Sequence, residues 1–302
     1  MAFINDVIMY EPPEDAAVDS AALTEPQEIQ VMSDLHLEFK FRVKGGKNDD
    51  RAAGYVVFDF PVAAPNLALL GDIGLATHEG LYHFLETQLH RFKRVFYVPG
   101  NHEYYGASPT QAMGRMQAFA DRMQFVHARE PNEVGEFILL HRRRYDLSAH
   151  VTILGCTLWS HVPPHAEDAV WYHLNDFRQI EHWTVGAHNA SHDMDRLFLT
   201  RELDKLRGSG RRVFIMTHHA PTTPGTSEPR FETGDNLPSY GFVTPLSDSE
   251  WWAPPITTWA FGHTHFNCDF VRKGVRVVAN QRGYDAFETH RIGFIENKVL
   301  LV

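Results

Sequence analysis

Pro65–Gly74 reads PNLALLGDIG, and this stretch decides the fold. Leu67–Leu70 is a short, unbroken apolar run that stops at a glycine. Such a run suits a strand buried on both faces of an α/β sheet, since a half-solvated strand would alternate. Gly71 and Gly74 flank Asp72 and Ile73, and let the backbone turn tightly and approach its neighbours. The repeating unit to look for is therefore strand, glycine, polar side chain.

Working outward, similar units recur. Ile29–Ser33 is a strand running into SDLHLEF; RVFYVPGNHEYYG, from Arg94, and RVFIMTHHAP, from Arg212, are two more. TTWAFGHTH, from Thr257, is another, with two antiparallel strands expected between it and Tyr284. Helical spacing joins Leu81, Phe84, Leu85 and Leu89 over 78–91, and Met113, Met116, Phe119 and Met123 over 109–122. The methionine stripe reads as core. Residues 55–60 read as a short or edge strand. EFILL and HVTILGCTLW, joined through HRRRYDLSA, read as a hairpin with a polar connection. Residues 193–207 predict a helix packed through Met194, Leu197, Phe198, Leu203 and Leu206, and 220–250 is irregular.

Residues 1–28, acidic and proline-bearing with an apolar patch at Phe3, Ile4, Val7 and Ile8, read as an N-terminal arm. Residues 29–302 then form one two-layered or sandwiched α/β domain, with a cap or loop insertion at 160–192 rich in His, Asp, Trp and Pro. Composition fits: 43% hydrophobic and 22% charged residues over 302 positions support one sizeable core.

No apolar run approaches the roughly 20 residues of a membrane span, and no basic segment precedes a long apolar one near residue 1. The expectation is a cytoplasmic protein with no membrane partner. A formal charge of −10 argues against a broad grip on a nucleic-acid polymer, while leaving a small anionic substrate open. Two cysteines are too few for a disulfide framework or a four-thiolate zinc site. Oligomeric state is not legible.

Nineteen histidines carry the functional signal. Asp34 and His36 close the first strand, Asp72 the second, Asn101 and His102 the third, His218 the fourth, and His263 and His265 follow Phe261. Each piece alone has an ordinary structural explanation, such as an Asx turn or a satisfied core histidine. Together at strand ends they do not, because burying so many ionisable groups is costly unless they are paired or metal-bound. Carboxylate, amide oxygen and imidazole suit a borderline divalent ion, and the set implies a dinuclear centre. His102, beside Asn101, serves either as a ligand or in proton transfer.

This ordered series, DLH, GD, GNHE, THH and GHTH, resembles the calcineurin-like metallophosphoesterase superfamily over residues 29 to 290. The resemblance implies a four-layer αββα sandwich: two mixed β-sheets flanked by helices, with an insertion over the active edge. It implies that Asp34, His36 and His265 hold one metal, that Asn101, His218 and His263 hold the other, and that Asp72 bridges them. The ions would be two divalent or trivalent metals, with Mn, Fe or Zn foremost. His102 matches the family's histidine beside the substrate phosphate, and His219 would support the site. Glu103 stands where the family usually has Asp, and is expected to orient His102 by a hydrogen bond.

The implied activity is metal-dependent hydrolysis of a small phosphate ester, with a metal-bridging hydroxide attacking in line. A small-molecule phosphodiesterase is the leading expectation, because no dense cationic pocket for a dianionic monoester is evident. The alternatives are a phosphomonoesterase or protein phosphatase and, in another class, a non-catalytic metal-stabilised scaffold. Arg230, Tyr240, His161 and Trp171 are candidate substrate contacts. Arg142–Arg144 read as a hairpin turn, and Lys40, Arg42, Lys44, Lys47 and Arg51 as a solvated basic loop.

Overall fold

The structure, a computed structural model, describes residues 27–39, 56, 58–232, 236–249, 252–284 and 292–302. The apolar patch of the N-terminal arm and the basic loop from Lys40 to Arg51 lie outside these residues. In chain order the elements are β1 (Glu28–Met32), β2 (Asn66–Leu70), α1 (Glu79–Leu89), β3 (Arg94–Val98), α2 (Pro109–Arg129), β4 (Glu136–Leu139), β5 (Arg143–Asp146) and β6 (Val151–Cys156). They continue as α3 (Glu167–His173), α4 (Asp176–Gln179), α5 (Val185–Leu206), β7 (Arg212–Thr217), β8 (Ile256–Phe261), β9 (Cys268–Arg272), β10 (Val275–Ala279) and β11 (Val299–Leu301).

The strands form two mixed sheets, ordered β11-β1-β2-β3-β4 and β5-β6-β7-β8-β10-β9. β1 to β4 run parallel with antiparallel β11 at the edge; β6, β7, β8 and β10 run parallel between antiparallel β5 and β9. Side chains alternate across each strand, and this period assigns the layers. Ala68, Leu70, Phe96 and Val98 of the first sheet meet Phe214, Met216 and Ala260 of the second in the central core. On the other face, Leu67, Leu69, Val95 and Tyr97 meet Leu81 and Leu85 of α1 and Met116 and Phe119 of α2. Val213, Ile215, Trp259 and Phe261 meet Leu199, Leu203 and Leu206 of α5. The result is the αββα sandwich expected.

Four parts of the chain depart from the sequence reading. β4 and β6 do not form a hairpin: β4 pairs with β3 in the first sheet, and the expected polar connection is itself strand β5, paired antiparallel with β6 in the second. Its polar residues are accommodated at an edge, where Arg144 pairs with Asp146 and the Tyr145 hydroxyl donates to Glu136 at 2.6 Å. Arg142 turns inward to buried Asp195 at 2.9 Å. Helix α5 starts at Val185, with Thr184 capping Ala187 N–H, and its first turns bury His188, His192 and Asp195. That polar inner face has no apolar period, and it leaves Met194 and Leu197 exposed. Among the described residues of 55–60 there is no strand.

Helix α2 continues past 122 to Arg129, since no breaker intervenes before Pro131 and Val126 packs on the core. Ser108 and Gln111 close a capping box around Pro109, an N-terminus of the kind that stabilises by about 1 kcal/mol.

Candidate metal centre

The C-terminal ends of β1, β2, β3, β7 and β8 meet at one edge, and the turns that follow them are laced together by backbone bonds. Asp34 N–H donates to Gly71 O, His36 N–H to Asp72 O, and Gly262 N–H to His218 O. His263 N–H crosses between sheets to the Asp34 carboxylate at 3.0 Å. Asp34, His36, Asp72, His263 and His265 all have φ between 46° and 74°. That left-handed region costs a non-glycine residue of order 1–3 kcal/mol, so packing at this edge is holding the backbone of five residues in strained conformations. Glycines make the approach possible: a Cβ on Gly100 would lie 2.3 Å from Asp72 Oδ1, and Gly71 (φ 86°) leaves no room beside His218.

Two clusters of donors result, Asp34–His36–His265 and Asp72–His218–His263, all buried but His265, which is partly so. Asp72 lies between them: Oδ1 is 3.3 Å from His218 Nε2, and Oδ2 is 3.9 Å from His36 Nε2. Asn101 turns its Oδ1 to within 3.0 Å of His218 Nε2. Its amide nitrogen is anchored at 2.8 Å by Asp176 of α4, which also accepts from the Tyr105 hydroxyl at 2.6 Å.

The donor set fits metal ions. His218 Nδ1 donates to the Leu70 carbonyl at 2.9 Å, which aims the Nε2 lone pair at two oxygens. His36 and His265 face each other through their Nε2 atoms at 3.0 Å. Where both atoms are acceptors, as for His218 Nε2 and its two oxygens, a cation or a proton must lie between them. Burial opposes charge on His218, but Asp72 and Asp34 outweigh it and hold its pKa up to about 10. Burial likewise opposes ionisation of Asp72, and the surrounding histidines overcome it. With only nitrogen and oxygen donors, the arrangement is a dinuclear site for two divalent or trivalent ions.

A third group, His36–Glu38–His102, adjoins the first two. His102 Nδ1 donates to Glu38 Oε1 at 2.8 Å, its ring stacks on Tyr105, and its Nε2 lies 3.3 Å from the Tyr284 hydroxyl and 3.8 Å from Asp72 Oδ2. Burial opposes its protonation, yet Asp72 and Glu38 hold its pKa up to about 9.

Glu103 does not bond His102, contrary to expectation. It turns away and accepts from the N–H groups of Asp72, Ile73 and Gly100 and from the Tyr97 hydroxyl, clamping two of the ligand loops together. Burial and then Asp72 raise its pKa to about 7. Glu38, Tyr105, Asp176 and Tyr284 had not been assigned to the site; Glu38 is two residues beyond His36 in DLHLE, and Tyr284 closes QRGY after the last central strand.

His219 is buried beside the centre, its ring tilted against that of His263 at 4.1 Å between centres, with no hydrogen-bond partner at either ring nitrogen. Arg230 is mostly exposed and paired with Glu228 at 2.7 Å, and Trp171 is exposed on α3; neither is brought to the clusters. His161 and Tyr240 line a neighbouring cleft. No described helix is long and apolar enough to cross a membrane.

No family model matches the sequence. It is 28% identical over 271 residues to the uncharacterized protein L509 of Acanthamoeba polyphaga mimivirus, covering 85% of this chain and 91% of that one. Its fold is similar to that of phosphopantetheinyl hydrolase from Mycobacterium tuberculosis, with a TM-score of 0.62 and 17% identity over 92% of this chain and 96% of the other. At that identity the likeness is one of fold.

Proposed function

We propose that the protein is a dinuclear metal-dependent phosphoesterase, and within that class a phosphodiesterase of small molecules. The observation that carries this reading is the position of Asp72, one carboxylate oxygen toward each of two buried clusters of metal donors. Asp34, His36 and His265 would hold one ion, Asn101, His218 and His263 the other, with Asp72 shared. When bound, the pair supplies Lewis acidity, activating a water nucleophile and offsetting charge on the phosphoryl oxygens.

The remaining work falls to side chains. His102 presents Nε2 to the centre because Glu38 occupies Nδ1. From there it donates a proton to the departing oxygen or a hydrogen bond to the phosphoryl group. Tyr284 offers a second donor at the same place. Asp176 and Tyr105 hold the Asn101 amide with its oxygen inward, and Glu103 keeps the two loops that carry Asp72 and Asn101 in register.

The preference for a diester rests on charge. Histidines, carboxylates, an amide and tyrosines converge here. A monoester dianion would lack the extra cation that a monoanionic diester does not need. The test is turnover of bis-p-nitrophenyl phosphate against p-nitrophenyl phosphate by metal-stripped protein refilled with Mn²⁺, with His263→Ala as the blank. Metal-dependent preference for the diester is expected. Preference for the monoester would make the protein a phosphatase, and silence on both with metals bound would favour a binding role. A phosphopantetheinyl diester belongs in the next panel, given the named activity of the mycobacterial structure.

A further inference from the structure

Beside the metal centre, helix α5, residues 161–165 and the 240–249 segment enclose a cleft of about 350 Å³. His161, His165, His192, Arg196, Tyr240 and Thr244 supply its polar lining, and no carboxylate is among its described lining residues. Arg196 is the one permanently charged residue of that described lining. We propose that this cleft takes a phosphate group of the substrate, remote from the ester that is cleaved; the inference rests on the phosphoesterase reading of the centre.

Three observations support it. Arg196 makes no hydrogen bond or ion pair among the described residues, so its guanidinium fork is available to an oxyanion. One turn earlier on the same helix face, His192 is buried at the floor, its Nδ1 bonded to the Trp159 carbonyl and its Nε2 without a partner. The ring therefore keeps a lone pair for a donor on the ligand, such as a hydroxyl or a singly protonated phosphate. The third observation is position: Tyr240 lines the cleft, and the carbonyl of the next residue, Gly241, is 3.4 Å from His263 Nε2. Phe242 then stacks on His263 at 4.7 Å between ring centres. A single short segment thus lines the cleft and touches the metal centre, and on this proposal one small molecule spans the two.

The test is calorimetric titration of the metal-loaded full chain with α,ω-alkanediol bisphosphates, from propanediol to octanediol, each against its alkyl monophosphate. At a matching chain length the bisphosphate should bind about tenfold tighter than the monophosphate, as one added charge-assisted contact allows. Arg196→Met should abolish that gain at the thermal midpoint of the wild type, since Arg196 is exposed and its loss leaves no buried group unpaired. Absence of any length-dependent gain, or a gain that survives Arg196→Met, overturns the proposal. Turnover of bis-p-nitrophenyl phosphate in the same samples separates the two ideas. Turnover without a bisphosphate gain removes the cleft and spares the catalytic reading. A gain abolished by Arg196→Met, without turnover, removes the catalytic reading and with it the cleft's role toward a substrate.

Discussion

Two groups of histidines lie side by side in this fold, and they differ in company more than in burial. At the strand ends, His36, His102, His218, His263 and His265 surround Asp34, Asp72 and Glu38. Around Trp159, His188 and His192 are equally buried but meet neutral groups, the Ser160 hydroxyl and the Trp159 carbonyl. Burial then dominates, pushing His188 down to about 3 and His192 to about 4. Beside the carboxylates, His102 and His218 are held up to about 9 and 10 despite the same burial. A buried imidazole marks a candidate metal site only where carboxylates share its space, because only there does the local charge call for a cation. His263 shows both influences: burial and the adjacent His218 press it down to about 3, which leaves it neutral, the form that binds metal.

Removing the carboxylate is the most direct way to break this contrast. Asp72→Ala should strip bound metal, measured by plasma emission, and with it all metal-dependent turnover, because the residue faces both clusters. Retention of both ions by Asp72→Ala would mean that Asp34, Asn101 and the histidines suffice to hold them. His188→Gln, made in the other group, should leave metal content at the wild-type level.

The strand ends were legible because fully buried parallel strands leave continuous apolar runs, as in Leu67–Leu70 and Val213–Met216, and the polar residue after each stands out. Strand β5 was not, since HRRRYD carries no apolar run and owes its place to pairing with β6. The first half of α5 was hidden for a related reason: its buried face is made of His188, His192 and Asp195. Within the site, the partner of His102 was misread as its neighbour Glu103. Residues 102–104 form a 3₁₀ turn, which rotates successive side chains by about 120° and sends Glu103 to the opposite side. The actual partner, Glu38, is 64 residues away in sequence, and Tyr284 is 182 away. Local spacing has no access to contacts of that kind.

That pair offers a second, smaller perturbation inside the first group. His102→Ala should keep both metals and lower kcat by roughly 10²–10⁴-fold, the usual range for a lost proton donor. Glu38→Gln should cost roughly 10–100-fold, as loss of an orienting partner does. Its effect should fall on kcat more than KM, with its pH profile displaced to lower pH as the imidazolium loses its carboxylate. Loss of metal from His102→Ala would instead make His102 a ligand, and would turn His36–Glu38–His102 into part of the metal site itself.

The smallest effect belongs to the second group and reads out in stability. The ordinary histidine pKa is 6.5, and folding lowers that of His188 to about 3, chiefly by burial. Below pH 6.5 the unfolded chain takes up a proton that the folded chain refuses. Stability is therefore undiminished above that pH and is lost progressively as the pH falls toward 3. The slope is at most about 1.4 kcal/mol per pH unit for one ring. His188→Gln keeps a side chain able to accept from Ser160 but removes the titration, so its urea midpoint should fall less between neutral pH and mild acid than that of the wild type. Other groups titrate in both proteins, and the difference between the two curves isolates this ring. Parallel curves would show that His188 is already protonated when folded, and the contrast between the two histidine groups would then lose its physical basis.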